Sequence, residues 1–216
     1  VKESNITAMK NYLLFLLFLF IGCSNPDNTI EIYLLKSRAK NKYGISPDEF
    51  RKINTSIENE GFDIGRFSTV DTLNKKINFA GEFDIYESKL EDKPFISDEE
   101  IEYLDLKTNK IKFTESAAVK ISSLRASMRE GTQFVITNNK KPVFGGYFWN
   151  TFSSFGSDWN CISYVHNLKD HPEKEQYNHI LYKGNGMGFW LNNQVDLNKY
   201  LKFLHALEES NKLKNR

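Results

Sequence analysis

His166, Asp170, His171, Glu173, Glu175 and His179 crowd one polar segment, and imidazoles beside carboxylates are the side chains that bind zinc or another divalent cation. Their intervals argue against a compact ligand set. Histidines five and eight residues apart do not share one helix face, and Pro172 breaks the segment, so its composition reads as a solvated loop between two strands. His166, His171 and His179 are the candidate ligands should a metal bind; no cofactor is expected. Cys161 and His166 could in principle form a thiol nucleophile and its base, but residues five apart on one strand point to opposite faces. Gly184-Asn-Gly-Met-Gly188 has the glycine density of a phosphate loop. Such a loop opens a helix, whereas Phe189-Trp190-Leu191 and two asparagines follow here, so the stretch reads as a turn. Asp98, Glu99 and Glu100 follow Ser97 as acidic residues follow a helix cap, which accounts for them without acid/base chemistry.

Recognition chemistry is carried by rings. Tyr147, Phe148, Trp149, Phe152, Phe155 and Trp159 are interleaved with Ser153, Ser154, Gly156, Ser157 and Asp158. Half of any strand faces the core, so some of these rings serve packing. The remainder, on a serine- and glycine-rich loop, would form a stacking platform for a glycan or a protein surface. The candidate binding surface is therefore Phe152, Phe155 and Trp159, with Tyr147 and Trp149 beside them.

One further residue has chemistry set by its neighbours. Lys10 leads into an uncharged run from Tyr12 to Ile21, which closes on Gly22 directly before Cys23. That is the order of charged, apolar and small-residue regions in a secretory signal, with Met9 as its expected start. Eleven residues from Tyr12 to Gly22 fall short of the roughly 20 that cross a bilayer as a helix. Phe20-Ile21-Gly22-Cys23 resembles the lipobox of bacterial lipoproteins, departing from it in having Phe20 where leucine is usual. The resemblance implies a diacylglyceryl thioether on Cys23, cleavage before it, and a lipid-anchored protein of the cell envelope. Ser24, in place of the aspartate that retains many lipoproteins at an inner membrane, implies an outer membrane where the cell has two.

The elements that must position these groups begin after the anchor. Residues 1–22 are read as upstream extension and signal, 23–28 as a polar tether, and 29–216 as one α+β domain with helices packed on a mostly antiparallel sheet. With Lys2, Lys10 and Glu3 removed, the mature chain holds 27 basic and 27 acidic side chains, which argues against a nucleic-acid partner. With Cys23 acylated, Cys161 has no intramolecular partner and is expected as a buried, reduced thiol. Alternation marks a strand at Ile30, Ile32 and Leu34. Ser46-Pro47-Asp48-Glu49 opens a helix whose buried stripe is Phe50, Ile53 and Ile57, and two strands are expected between Phe62 and Leu90. Thr114 caps a helix from Glu115 to about Arg129, with Ala117, Ile121, Leu124 and Met128 inward. Asn138-Asn139-Lys140-Lys141 joins two strands as a hairpin, and further strands are expected at Cys161 to Val165 and His179 to Tyr182. A closing helix starts at Asp196 and buries Leu197, Tyr200, Leu201, Leu204 and Leu207, with Lys212, Lys214 and Arg216 at its negative end.

Three stretches, Pro94 to Ile101, Ile111 to Ile121 and Phe134 to Phe144, resemble the head of the large periplasmic domain in the SecD/SecF translocation accessory proteins. The shared pattern is a threonine-acidic-alanine-alanine helix start, a strand, an asparagine or glycine turn with lysine, and a second strand. The resemblance implies an α+β head and carries no catalytic residue. This chain departs from the family in having Phe148-Trp149 where the translocase head has small residues and in lacking a transmembrane bundle, so translocation activity does not transfer. The expected function is a non-enzymatic binding or assembly module, tethered to the membrane by lipid, with an envelope protein or glycan as partner. The alternative is an envelope enzyme using residues 166–179.

Overall fold

A computed structural model describes residues 28–53, 67–125, 128–170, 175, 178–184 and 194–215. Among them the chain forms β1 (Ile30–Leu34), α1 (Pro47–Ile53), β2 (Thr69–Asp71), β3 (Lys76–Asn78), β4 (Ile101–Asp105), β5 (Lys110–Phe113) and α2 (Glu115–Ser122). It continues through β6 (Thr132–Asn138), β7 (Lys141–Asn150), β8 (Asn160–Tyr164), β9 (Leu181–Lys183), α3 (Leu201–Glu209) and β10 (Leu213–Lys214). The fold is α+β with mostly antiparallel pairing. The main sheet runs β1-β6-β7-β8-β9, and β7 with β8 is its one parallel pair. A smaller sheet, β10-β4-β5, and the hairpin β2-β3 stand beside it.

Two-residue alternation sorts the central strands into two buried faces. Ile30, Ile32, Phe134, Ile136, Phe144, Phe148, Ile162 and Leu181 look one way, onto Ala117 and Ile121 of α2, Phe203 and Leu207 of α3, and Leu104 and Ile111 of the small sheet. Val135, Tyr147, Trp149, Cys161 and Tyr182 look the other way, where extended chain rather than helix covers them through Leu35, Ala39, Ala80, Phe83, Ile85 and Leu90. Backbone bonds from Lys36 to Lys89 and from Lys42 to Glu82 knit that cover together. Helices α2 and α3 thus lie on one face of the main sheet, and central strands buried on both sides lose the polar alternation that a half-exposed strand would show.

The turns follow from residue type. Asn139 and Lys140 sit at φ 49° and 64°, the two positive values of a type I′ turn, and join β6 to β7. The Thr114 hydroxyl accepts from the Ala117 N–H at 3.3 Å and starts α2. Ser46 and Glu49 form a reciprocal cap on α1.

Four expectations are corrected. The α2 helix ends at Ser122 instead of near Arg129, because Ser122 and Ser123 turn their hydroxyls onto the carbonyls of Val119 and Lys120, and Met128 is then exposed on a later turn. Ile53 is 70% exposed, so the inward stripe read for α1 fails there; Ile57 lies outside the described residues. Leu201 is also 70% exposed: α3 buries Phe203, Ala206 and Leu207, and at 100° per residue position 201 falls opposite 203. Lys212 leaves the end of α3 altogether, donating to the carbonyls of Asp98 and Ile101 and pairing with the Asp98 carboxylate at 3.1 Å.

Ile121 is fully buried and Val119, on the same helix, is 52% exposed. Ile121→Ala is expected to cost about 2–5 kcal/mol, against under about 0.5 kcal/mol for Val119→Ala. Denaturant melts of the two variants check which stripe of α2 is inside.

Candidate groove beside the third helix

Leu201 and Tyr86 are large apolar side chains left in solvent, 70% and 64% exposed, and they flank one groove. The groove consists of two adjoining hollows of about 450 and 710 Å³ that share Tyr86, Val143, Leu201 and Lys202. The start of β7 supplies Lys141, Pro142 and Val143, the first residues of α3 supply Leu201, Lys202 and His205, and the chain from Glu82 to Tyr86 closes the far side. Trp159 and Tyr200 form the deeper wall. Tyr200 is held there by its hydroxyl, which exchanges hydrogen bonds with the Asn160 amide at 2.9 and 3.2 Å.

The charge on the groove is uneven. Around the deeper hollow, Lys42 is paired with Glu82 at 3.2 Å, and Asp84 lies nearby. The larger hollow has Lys141, Lys202 and His205 and no carboxylate in its lining. Neither Lys141 nor Lys202 has an ion-pair partner among the described residues. The Asn138 Oδ1, in the same wall, is a buried acceptor with no partner among the described residues. An apolar strip edged by ammonium groups without an ion-pair partner among the described residues has the chemistry to suit a ligand with both apolar and anionic parts.

The aromatic residues singled out in sequence divide. Tyr147, Trp149 and Trp159 are buried, at 0, 4 and 8% exposure, which corrects the reading that they present a stacking platform. Tyr147 and Trp149 share the sheet face that the 79–90 chain covers. The Tyr147 hydroxyl donates to the Gly81 carbonyl at 2.7 Å, and its pKa is pushed up to about 12 by burial. Trp149 donates its indole N–H to the Phe155 carbonyl at 3.1 Å, and Trp159 packs edge-on to Phe83 with ring centroids 4.9 Å apart. Phe155 is half-buried against Phe79, with the Arg129 guanidinium 4.8 Å from its ring centroid, and Phe152 is exposed. Of the five, Trp159 alone lines the groove.

The polar segment divides too. His166 donates from Nδ1 to the Ser122 carbonyl at 2.9 Å. His179 is buried edge-on to Phe113, its Nε2 without a partner among the described residues, while His171, Glu173 and Cys23 lie outside the described residues. No three His, Cys, Asp or Glu side chains come together as a metal site among the described residues. Burial pushes the Cys161 thiol up to about 12, so the thiol stays protonated and unreactive.

His179 also gives a pH dependence. Burial, then the charges of Lys110 and Lys112, hold its pKa at about 3 against an ordinary 6.5. The unfolded chain therefore binds the extra proton between those values, and stability falls as pH drops through that window, by up to about 1.4 kcal/mol per unit from this group. His179→Asn removes the titration and keeps a residue that accepts the positive φ of 59°. Melts at pH 7.5 and 4.5 should show a smaller loss in the variant than in the parent chain.

Comparisons of the chain with protein-family models, with curated proteins and with solved structures find no match.

The groove is hidden in the sequence because Leu201 fits an apolar helical period counted from Leu197, and Tyr86 reads, with Phe83 and Ile85, as one of the strand residues expected between Phe62 and Leu90. Counting the period from Phe203, Ala206 and Leu207 would have put Leu201 outside.

Proposed function

We propose that the chain is a lipid-anchored envelope protein whose head is a binding module, with the groove between β7, α3 and residues 82–86 as its recognition face. The observation that carries this reading is the pairing of exposed Tyr86 and Leu201 with Lys141 and Lys202, which have no ion-pair partner among the described residues, around one hollow. The lipobox-like Phe20-Ile21-Gly22-Cys23 supplies the address, an envelope membrane, by preference an outer one. Kinship with the SecD/SecF periplasmic head is part of the proposal at the level of fold; the order of Thr114-capped α2, β6, turn and β7 supports it. In the alternative, enzymatic reading, His166 and His179 would have to act from positions in which one ring is tied to Ser122 and the other is buried against Phe113.

A photo-crosslinking amino acid placed at position 86 or 201 in cells tests the recognition face. Adducts with an envelope component from both positions, and none from exposed Val119, are the expected result. Clean, uncrosslinked protein at 86 and 201 would remove the groove from consideration.

A further inference from the structure

The groove lies at the end of the head from which the tether leaves. Thr29 and Asn139 exchange hydrogen bonds, the Thr29 N–H to the Asn139 side chain at 3.1 Å and the Asn139 N–H to the Thr29 carbonyl at 3.0 Å. Asn138, the next residue, lines the larger hollow and pairs with Ile30 in the sheet register. On the other wall, the Asn28 amide donates to Glu209 at 3.0 Å, and Glu209 pairs with the groove residue His205 at 3.3 Å. Both walls of the hollow are thus within two contacts of the first described residues. Five residue-to-residue steps lead from Cys23 to Asn28. Even fully extended they span at most about 18 Å, so an acylated Cys23 keeps this pole within roughly 18 Å of the bilayer.

We infer that the groove docks on the anionic lipid surface that holds the anchor, seating Tyr86 and Leu201 at the headgroup boundary with Lys141 and Lys202 against lipid phosphates. This rests on the proposed acylation of Cys23. The chemistry is complementary: tyrosine and leucine suit the interface, and the two ammonium groups meet negative charge with no lining carboxylate among the described residues to oppose them. The far end of the head is excluded by distance. At that end Tyr164 and His166 donate to the carbonyls of Leu124 and Ser122, at and just past the Asn150–Tyr164 end of the β7–β8 pair. Along the ten residues of β7 that is about 30 Å from Lys141.

The test uses the full lipidated chain in vesicles, with Leu201→Cys carrying a bimane fluorophore and Val119→Cys as the control; both positions are exposed, and Cys161 is buried away from label. Quenching is read with doxyl lipid and, separately, with aqueous iodide. In phosphatidylethanolamine vesicles containing phosphatidylglycerol, position 201 should be quenched by the lipid and shielded from iodide, and position 119 the reverse. Each lysine near an anionic surface contributes about a fivefold factor, so K141E with K202E should lower the docked-to-free ratio by about thirtyfold or more. Vesicles of phosphatidylcholine alone, or 1 M salt, should likewise release position 201. An acylated protein with position 201 open to iodide in anionic vesicles overturns docking alone. Shielding from both quenchers means that protein covers the groove and overturns it as well. Absence of the acyl group, read from the mass of the purified protein, overturns the anchor and this inference together.

Discussion

Trp159→Ala is expected to destabilise the head by about 3–5 kcal/mol, as loss of a large buried ring does. The indole is 8% exposed, stacks edge-on with Phe83 at 4.9 Å and Tyr147 at 6.4 Å, and packs where Gly145 leaves room for it. Its removal strips contacts from the 79–90 chain, which covers that face of the sheet without a helix to brace it. Phe152→Ala, at an exposed position of the same aromatic run, should stay within about 0.5 kcal/mol. Denaturant melts of the pair decide whether the run from Tyr147 to Trp159 is core or surface. A Trp159→Ala variant as stable as the parent chain would contradict the burial described for it.

Sequence and structure part company in instructive places. Caps and turns were legible because their chemistry is local: Ser46 with Glu49, Thr114 with Ala117, and Asn139-Lys140 each satisfy or bend nearby backbone. The strand at Ile30 was legible because its alternating apolar residues are inward and well separated. β7 was harder to place. Its residues from Phe144 to Trp149 are all apolar or glycine and all buried, so no period separates the helix-covered face from the loop-covered one, and only the pairing register does so. The aromatic density that suggested a platform is what a strand buried on both sides requires.

The site was less legible than the fold. A groove is made by residues distant in sequence, here near positions 86, 142 and 201, and nothing in the local pattern of any one stretch announces the other two. Helix lengths also misled. The pattern from Glu115 to Met128 has the right spacing throughout, yet two serines after Ile121 compete for the carbonyls that would carry the helix onward.

Under the proposed anchoring, retention at the membrane turns on Cys23. Its thioether would carry two acyl chains or more, at about 0.8 kcal/mol for each buried methylene, which holds a protein on a membrane far longer than contact through two lysines at about 1 kcal/mol each. Cys23→Ala is therefore expected to move nearly all of the protein out of the membrane fraction, even though the groove is unchanged. The direct measurement is growth with a clickable fatty acid, followed by fractionation and labelling of the parent chain and Cys23→Ala. The parent chain should carry label and sediment with membranes, while the variant should do neither. A Cys23→Ala protein that still takes up label, or still stays with the membrane in high salt, would contradict the account.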